Sequence, residues 1–246
     1  MPRRPDDDRA PRVTARLSRE AIVAAGIVLA DRGGLDGLSM RRLAQDLSVN
    51  PMSLYHHVRD KDALLAAMVD AVVAEIAPDH EAQVAARGEA LVWTEELRWL
   101  IGAARRTMVG HPWAVHVLQQ RDTPTPATLR HLDRLLTAMR RGGCSVGLGH
   151  HALHLLGSRM LGFSQDLFVE SPPGGPEAAG RSDDSAERVA QARALAERYP
   201  NVAELALAAS HDGGLGGCDD DAEFNFSLDV LLDGLERRRL AEAANS

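Results

Sequence analysis

Between residues 39 and 61 the chain gathers side chains suited to a polyanion and its bases. Hydroxyls stand at Ser39, Ser53 and Tyr55, imidazoles at His56 and His57, and cations at Arg41 and Lys61, with the Asn50 amide, Pro51 and the Met52 thioether among them. Such a set can hydrogen-bond phosphate oxygens and base edges and place an apolar group on a thymine methyl. A merely solvated surface helix has no use for Met, Tyr and two His together.

Those residues need two short helices and a turn to present them. Ser39 is a good N-cap for a helix starting at Met40, and Leu38 and Leu43 stand at the spacing of a hydrophobic staple. Leu43, Ala44 and Leu47 form that helix's inner stripe, with Ala44 small enough to let a second helix cross closely. Ser48-Val49-Asn50 breaks the run. Asn50 then caps a helix over about Pro51 to His57, and Pro51 suits its first position because the missing N–H would have no partner there. Leu54 and Val58 point inward at i, i+4, which turns Pro51, Met52, Ser53, Tyr55, His56 and His57 outward. Asp60 caps a further helix from Lys61, whose ammonium and free N–H groups suit a phosphate. The layout is that of a helix-turn-helix.

Residues 18 to 68 resemble the N-terminal domain of the tetracycline-repressor family of bacterial transcription regulators. The resemblance rests on Arg41, Leu43-Ala44-Gln45, Leu54-Tyr55-His56-His57-Val58 and Lys61-Asp62-Ala63-Leu64-Leu65. It includes a leading helix, Arg19 to Arg32, capped by Ser18, stapled by Leu17 to Ile22 and stopped at Gly33-Gly34. Ser48 departs from the family's usual Gly, which matters only if that turn needs a positive φ. The resemblance implies that Ser39, Arg41, Tyr55 and Lys61 hold the DNA backbone. It also implies that Pro51, Met52, Ser53, His56 and His57 face the major groove, with Asn50 at its edge.

A net charge of −7 over 246 residues looks wrong for a DNA-binding chain until it is divided. Residues 1 to 61 hold 11 Lys and Arg against 8 Asp and Glu, whereas the remainder holds 17 against 27. The positive charge lies with the helix pair. Two cysteines, Cys144 and Cys218, supply no disulfide framework, the N-terminus has no apolar core for a signal peptide, and no segment reads as membrane-spanning. A cytoplasmic protein is expected, with no membrane partner.

The fold is expected to be all-α: an N-terminal three-helix domain with the helix-turn-helix, and a larger helical domain for ligand binding and dimerisation. The divisions are a flexible tail over 1 to 16, the DNA-binding domain over 17 to 76, and the body over 77 to 246. In the body, helices are expected from about Glu81 to Val109, Trp113 to Gln119, Thr125 to Arg141, Val146 to Phe168, Ser185 to Arg198 and Val202 to Ala209. A last helix carries Phe224, Leu228, Leu231 and Leu235 at i, i+4, i+7, i+11. Val169 to Ser185 reads as a long loop, and Asp212 to Gly217 as a glycine-rich breaker.

The body resembles the C-terminal domain of the family's tetracycline-repressor branch, in His111-Pro112-Trp113, the Arg140-Arg141-Gly142-Gly143 stop, Gly157 to Phe163 and the tail Phe224 to Glu236. This implies a homodimer on a palindromic operator, whose two-fold bundle would combine Val146 to Phe168 with Asp220 to Glu242 through the Phe224 stripe. It also implies a small-molecule effector in a cavity lined by Leu100, Leu118, Leu132, Leu135, His154, Ser158, Met160 and Phe163. Tetracycline-binding members hold a drug-chelated magnesium through a histidine and a glutamate. Those places fall near Leu118 and Asp166 here, so a largely apolar effector is expected instead.

His150 and His154, at i, i+4, could ligate a metal with His151 and Asp166 nearby in sequence, but no His-Glu-x-x-His pattern accompanies them. No nucleophile motif or phosphate-binding glycine loop is present, so no enzyme, cofactor or metal is expected. The leading reading is a ligand-relieved repressor. The alternative is a helical metal-binding protein or enzyme with a non-functional head, against which stand Tyr55, His57 and Lys61 in place.

Overall fold

A computed structural model of the chain describes residues 17–159, 193–194, 196–209 and 220–245. All regular structure among these residues is helical. By internal contacts the chain divides into two compact units, one ending at Gly143 and the other beginning at Cys144.

Among its described residues the first unit holds eight α-helices: α1 (Arg19–Gly33), α2 (Met40–Asp46), α3 (Pro51–Tyr55), α4 (Lys61–Ala74), α5 (His80–Arg87), α6 (Trp93–Gly110), α7 (Pro112–Gln120) and α8 (Pro126–Arg141). Helix α1 packs on α2 and α4, α2 on α3, and α4 on α7 and α8. Ile22, Leu38, Leu43, Leu54, Leu64 and Met68 are fully buried beneath α1 to α4, as are Leu97, Leu100 and Met139 between α6 and α8. Burying each such side chain contributes roughly 1.5–3 kcal/mol, so this core rather than helix propensity holds the short α2 and α3 in place.

The expected helix over 81 to 109 is two helices. Gly88 adopts φ +53, a 3₁₀ turn spans Gly88–Ala90, and Leu91 and Val92 are extended. That break lets Leu91 and Trp93 both reach the interior, at 6% and 8% exposure. Local periodicity continued through Gly88; burial did not.

A polar cluster lies inside this unit. Glu96, 1% exposed, accepts a hydrogen bond from His80 Nε2–H at 2.7 Å and pairs with the Arg141 guanidinium. The His80 ring stacks on Trp99 at 5.4 Å between centroids. The cation and anion compensate each other, which is how a carboxylate tolerates this depth. His80 Nδ1 and His131 Nδ1 are buried without a partner, as befits neutral rings.

The second unit contains α9 (Val146–Arg159), α10 (Pro200–Ala209) and α11 (Asp220–Ala244), with α11 packed on α9. Leu148, Ala152 and Leu156 of α9 are buried, as are Leu228, Leu232 and Leu235 of α11. This corrects the expected dimer stripe. Leu228 and Leu235 are already covered within the chain and Leu231 and Phe224 are half-buried, while Phe226 (66%), Val230 (53%) and Leu240 (53%) face outward. The expected tail over 1 to 16, the loop over 169 to 185, the breaker over 212 to 217 and the continuation of α9 to Phe168 lie outside the described residues, as does most of the helix expected over 185 to 198.

Candidate nucleic-acid interface

Each helix of the expected interface starts at a side-chain cap. Ser39 Oγ accepts from the Arg42 N–H at 3.1 Å, Asn50 Oδ1 from the Met52 N–H at 2.9 Å, and Asp60 Oδ1 from the Ala63 N–H at 2.7 Å. Pro51 occupies the first turn of α3, as expected. The Ala63 amide, and then the Arg59 guanidinium, hold the Asp60 carboxyl below its ordinary range. The cap of α4 is therefore charged at neutral pH, which favours the positive helix end beside Lys61.

The turn between α2 and α3 passes through Ser48 at φ +54. The Ser48 N–H donates to Gln45 O at 3.0 Å and the Val49 N–H to Ala44 O at 2.9 Å, closing the end of α2. This is the positive φ that glycine adopts without strain, so the departure from the family's Gly leaves the geometry intact but costs about 1–2 kcal/mol of local strain.

Helix α3 is anchored by Leu54, fully buried, and by Val58, 3% exposed. Above them Pro51, Met52, Tyr55, His56 and His57 are exposed, Met52 by 66% and Tyr55 by 44%, while Ser53 is half-buried. The helix ends at Tyr55, so His56 caps it and His57 sits in the following turn, whose N–H donates to Leu54 O at 2.9 Å. Ser39, Arg41, Asn50 and Lys61 are exposed around the same three helix starts. One short helix and the turn after it thus offer hydroxyl, imidazole and thioether groups, flanked by cations at the starts of α2 and α4.

The expected effector lining falls in both units. Leu100 and Leu135 are buried and Leu118 and Leu132 half-buried in the first unit, whereas His154 is exposed on α9. The Ser158 side chain, Met160 and Phe163 lie outside the described residues. Two clefts of the first unit have other walls. One, of about 650 Å³, lies between α1, α4 and residues 121 to 126; the other, of about 490 Å³, lies between the end of α1 and α7. His150 and His154 bring their rings to 4.6 Å on an exposed face of α9, and among the described residues no group of three metal-ligating side chains converges. No helix among those residues is long and apolar enough to cross a membrane.

Sequence reasoning missed a clasp at Asp31. Its Oδ1 accepts both the Trp113 Nε1–H at 2.7 Å and the His111 imidazole Nδ1–H at 2.8 Å. His111-Pro112-Trp113 was visible as a motif; its partner 80 residues upstream was not.

Two family models match the chain. "Bacterial regulatory proteins, tetR family" covers residues 22–68, and "Tetracyclin repressor-like, C-terminal domain" covers residues 88–239. The HTH-type transcriptional repressor DrrR1 of Streptomyces coeruleorubidus is 31% identical over 239 residues, spanning 95% of this chain and 81% of the relative. Among solved structures, apo ActR from Streptomyces coelicolor is similar with a TM-score of 0.66 and 26% identity over 93% of this chain and 99% of that one. ActR in complex with (S)-DNPA is similar with a TM-score of 0.59 and 25% identity, over 90% of this chain and 98% of that one. With the capped helix pair and its exposed reading face already in place, these matches show that the chain belongs to the tetracycline-repressor family, as a transcriptional regulator with a helix-turn-helix DNA-binding domain.

Proposed function

We propose that the chain is a ligand-relieved repressor that binds a palindromic operator as a homodimer. The observation that carries this is the outward set on α3 and the turn that follows it, Met52, Tyr55, His56 and His57, held over the buried Leu54 and Val58. Ser39, Arg41, Tyr55 and Lys61 hold phosphates and fix the register. Pro51, Met52, Ser53, His56 and His57 read the major groove, with Asn50 at its edge. One five-residue helix reaches only a few base pairs, so two copies on a palindrome supply the missing affinity.

The division of labour follows the chain: residues 17 to 76 read DNA, and 77 to 246 respond to ligand and dimerise. The structure of a relative with (S)-DNPA bound supports a small-molecule effector here. An effector site bordered by Leu100, Leu118, Leu132 and Leu135, buried or half-buried in the first unit, favours a largely hydrophobic one. To shift the protein from 1:99 to 99:1 between states, the effector must prefer the released state by about 10⁴-fold. The chain acts by binding, without catalysis, and works where the DNA is, in the cytoplasm.

The test is binding to duplex DNA from upstream of the chain's own gene across a salt series. Each phosphate neutralised steepens the log–log slope by about 0.9. Tyr55→Ala with Lys61→Ala is expected to weaken binding to every sequence, whereas Met52 or His56 substitutions change base preference. Unchanged affinity in the double variant would overturn the assignment.

A further inference from the structure

We propose that Asp31 is a positioning residue for operator binding: its carboxylate, gripped by Trp113 and His111, sets the angle at which α1 and the helix-turn-helix packed on it are held. The inference rests on the DNA-binding reading above.

Asp31 lies in the last turn of α1, and both donors meet one oxygen, the Trp113 indole at 2.7 Å and the His111 ring at 2.8 Å. His111 is at once the C-cap of α6 and the N-cap of α7. A single carboxylate oxygen therefore grips the elbow where those two helices turn. The site is partly shielded, with side-chain exposure of 29% at Asp31 and 19% at His111, and Trp113 is 6% exposed overall. Hydrogen bonds to a charged acceptor there are stronger than ordinary ones.

Apolar packing beside the clasp is one-sided, with Leu29 and Ala30 buried at 7% and 2% exposure. An open groove of about 490 Å³ runs along the clasp, lined by Ala30, Gly34, Leu35, Pro112 and His116. This end of α1 is thus fastened by Leu29, Ala30 and directional hydrogen bonds beside an open groove, whereas its other end is fastened by Ile22 and Val23 with no such clasp among the described residues. Apolar contact is non-directional whereas the clasp fixes a direction, so opening the clasp frees the last turn of α1 to shift over its packed face. Because α1 packs on α2 and α2 on α3, such a shift displaces the reading helix.

The test uses the full chain and a duplex enriched by wild type from a random-sequence library. Operator affinity is compared for wild type, Asp31→Ala, Trp113→Phe, the double variant and Asp31→Asn, which keeps an acceptor oxygen. Each clasp-breaking substitution is expected to weaken binding about fivefold or more. The double variant is expected to bind like the weaker single one, since both break the same contact. Asp31→Asn should recover most of the affinity. Amide hydrogen exchange should speed up in the last turn of α1 and at the elbow, and stay slow at Leu64 and Met68.

Trp113→Phe removes the N–H donor but keeps an aromatic ring in the site, so it carries the test if Asp31→Ala fails to fold. Wild-type affinity in folded clasp variants, or additive losses in the double variant, would overturn the inference alone. Failure of wild type to enrich any duplex would overturn the DNA-binding reading and this inference with it.

Discussion

The Trp93 indole occupies the space that a side chain at Gly142 would need. Trp93 opens α6, Gly142 caps α8, and a Cβ built on the glycine comes within 2.7 Å of indole ring atoms. Gly142 has an ordinary φ of −69°, so space rather than backbone freedom requires glycine here. Its neighbour Gly143, at φ +86, is the residue that needs that freedom. Gly142→Ala should destabilise the fold by about 1–3 kcal/mol through overpacking. A urea midpoint equal to wild type would show that the indole moves aside at no cost.

The buried histidines make stability depend on pH. Burial first, then the charges of Arg134 and His80, push His131 down to about 4. Burial and then Arg134 lower His80 as well, with Arg141 adding and Glu81 and Asp79 opposing. Both rings bind a proton more readily in the unfolded chain, near 6.5, than in the fold. Their contribution is therefore complete above about pH 6.5 and is lost as pH falls toward 4, by about 3 kcal/mol for His131. His131→Leu, which removes the unpartnered Nδ1, should flatten the stability profile over that window. Parallel profiles for wild type and variant would refute it.

The outward stripe of α11 should hold the dimer. Phe226, Val230 and Leu240 are exposed on one face, opposite the buried Leu228, Leu232 and Leu235. Val230→Glu puts a charge where a second copy would bury it, so sedimentation should show folded monomers. Leu232→Ala should instead lower fold stability by about 2–5 kcal/mol. A Val230→Glu dimer would place the seam on another face.

The local grammar of the DNA-binding region was readable from sequence because its interactions span five residues or fewer. Ser18, Ser39, Asn50 and Asp60 all cap the helices that follow them, and Leu43, Leu54 and Val58 all face inward. Periodicity failed where a choice among distant partners was required. It showed that the last helix has apolar residues, yet not that Leu228 and Leu235 are covered within the chain while Phe226 and Val230 stay outside. It carried a helix through Gly88, where burial of Leu91 and Trp93 turns the chain. Sequence posed the question at Ser48 and only the backbone answered it, with φ +54. The Asp31 clasp and the His80, Glu96 and Arg141 cluster join residues between 16 and 82 positions apart. Capping and helical period belong to one turn of chain, so the amino-acid order determines them directly. Which carboxylate meets which indole depends on how finished helices cross, and only the packed core decides that.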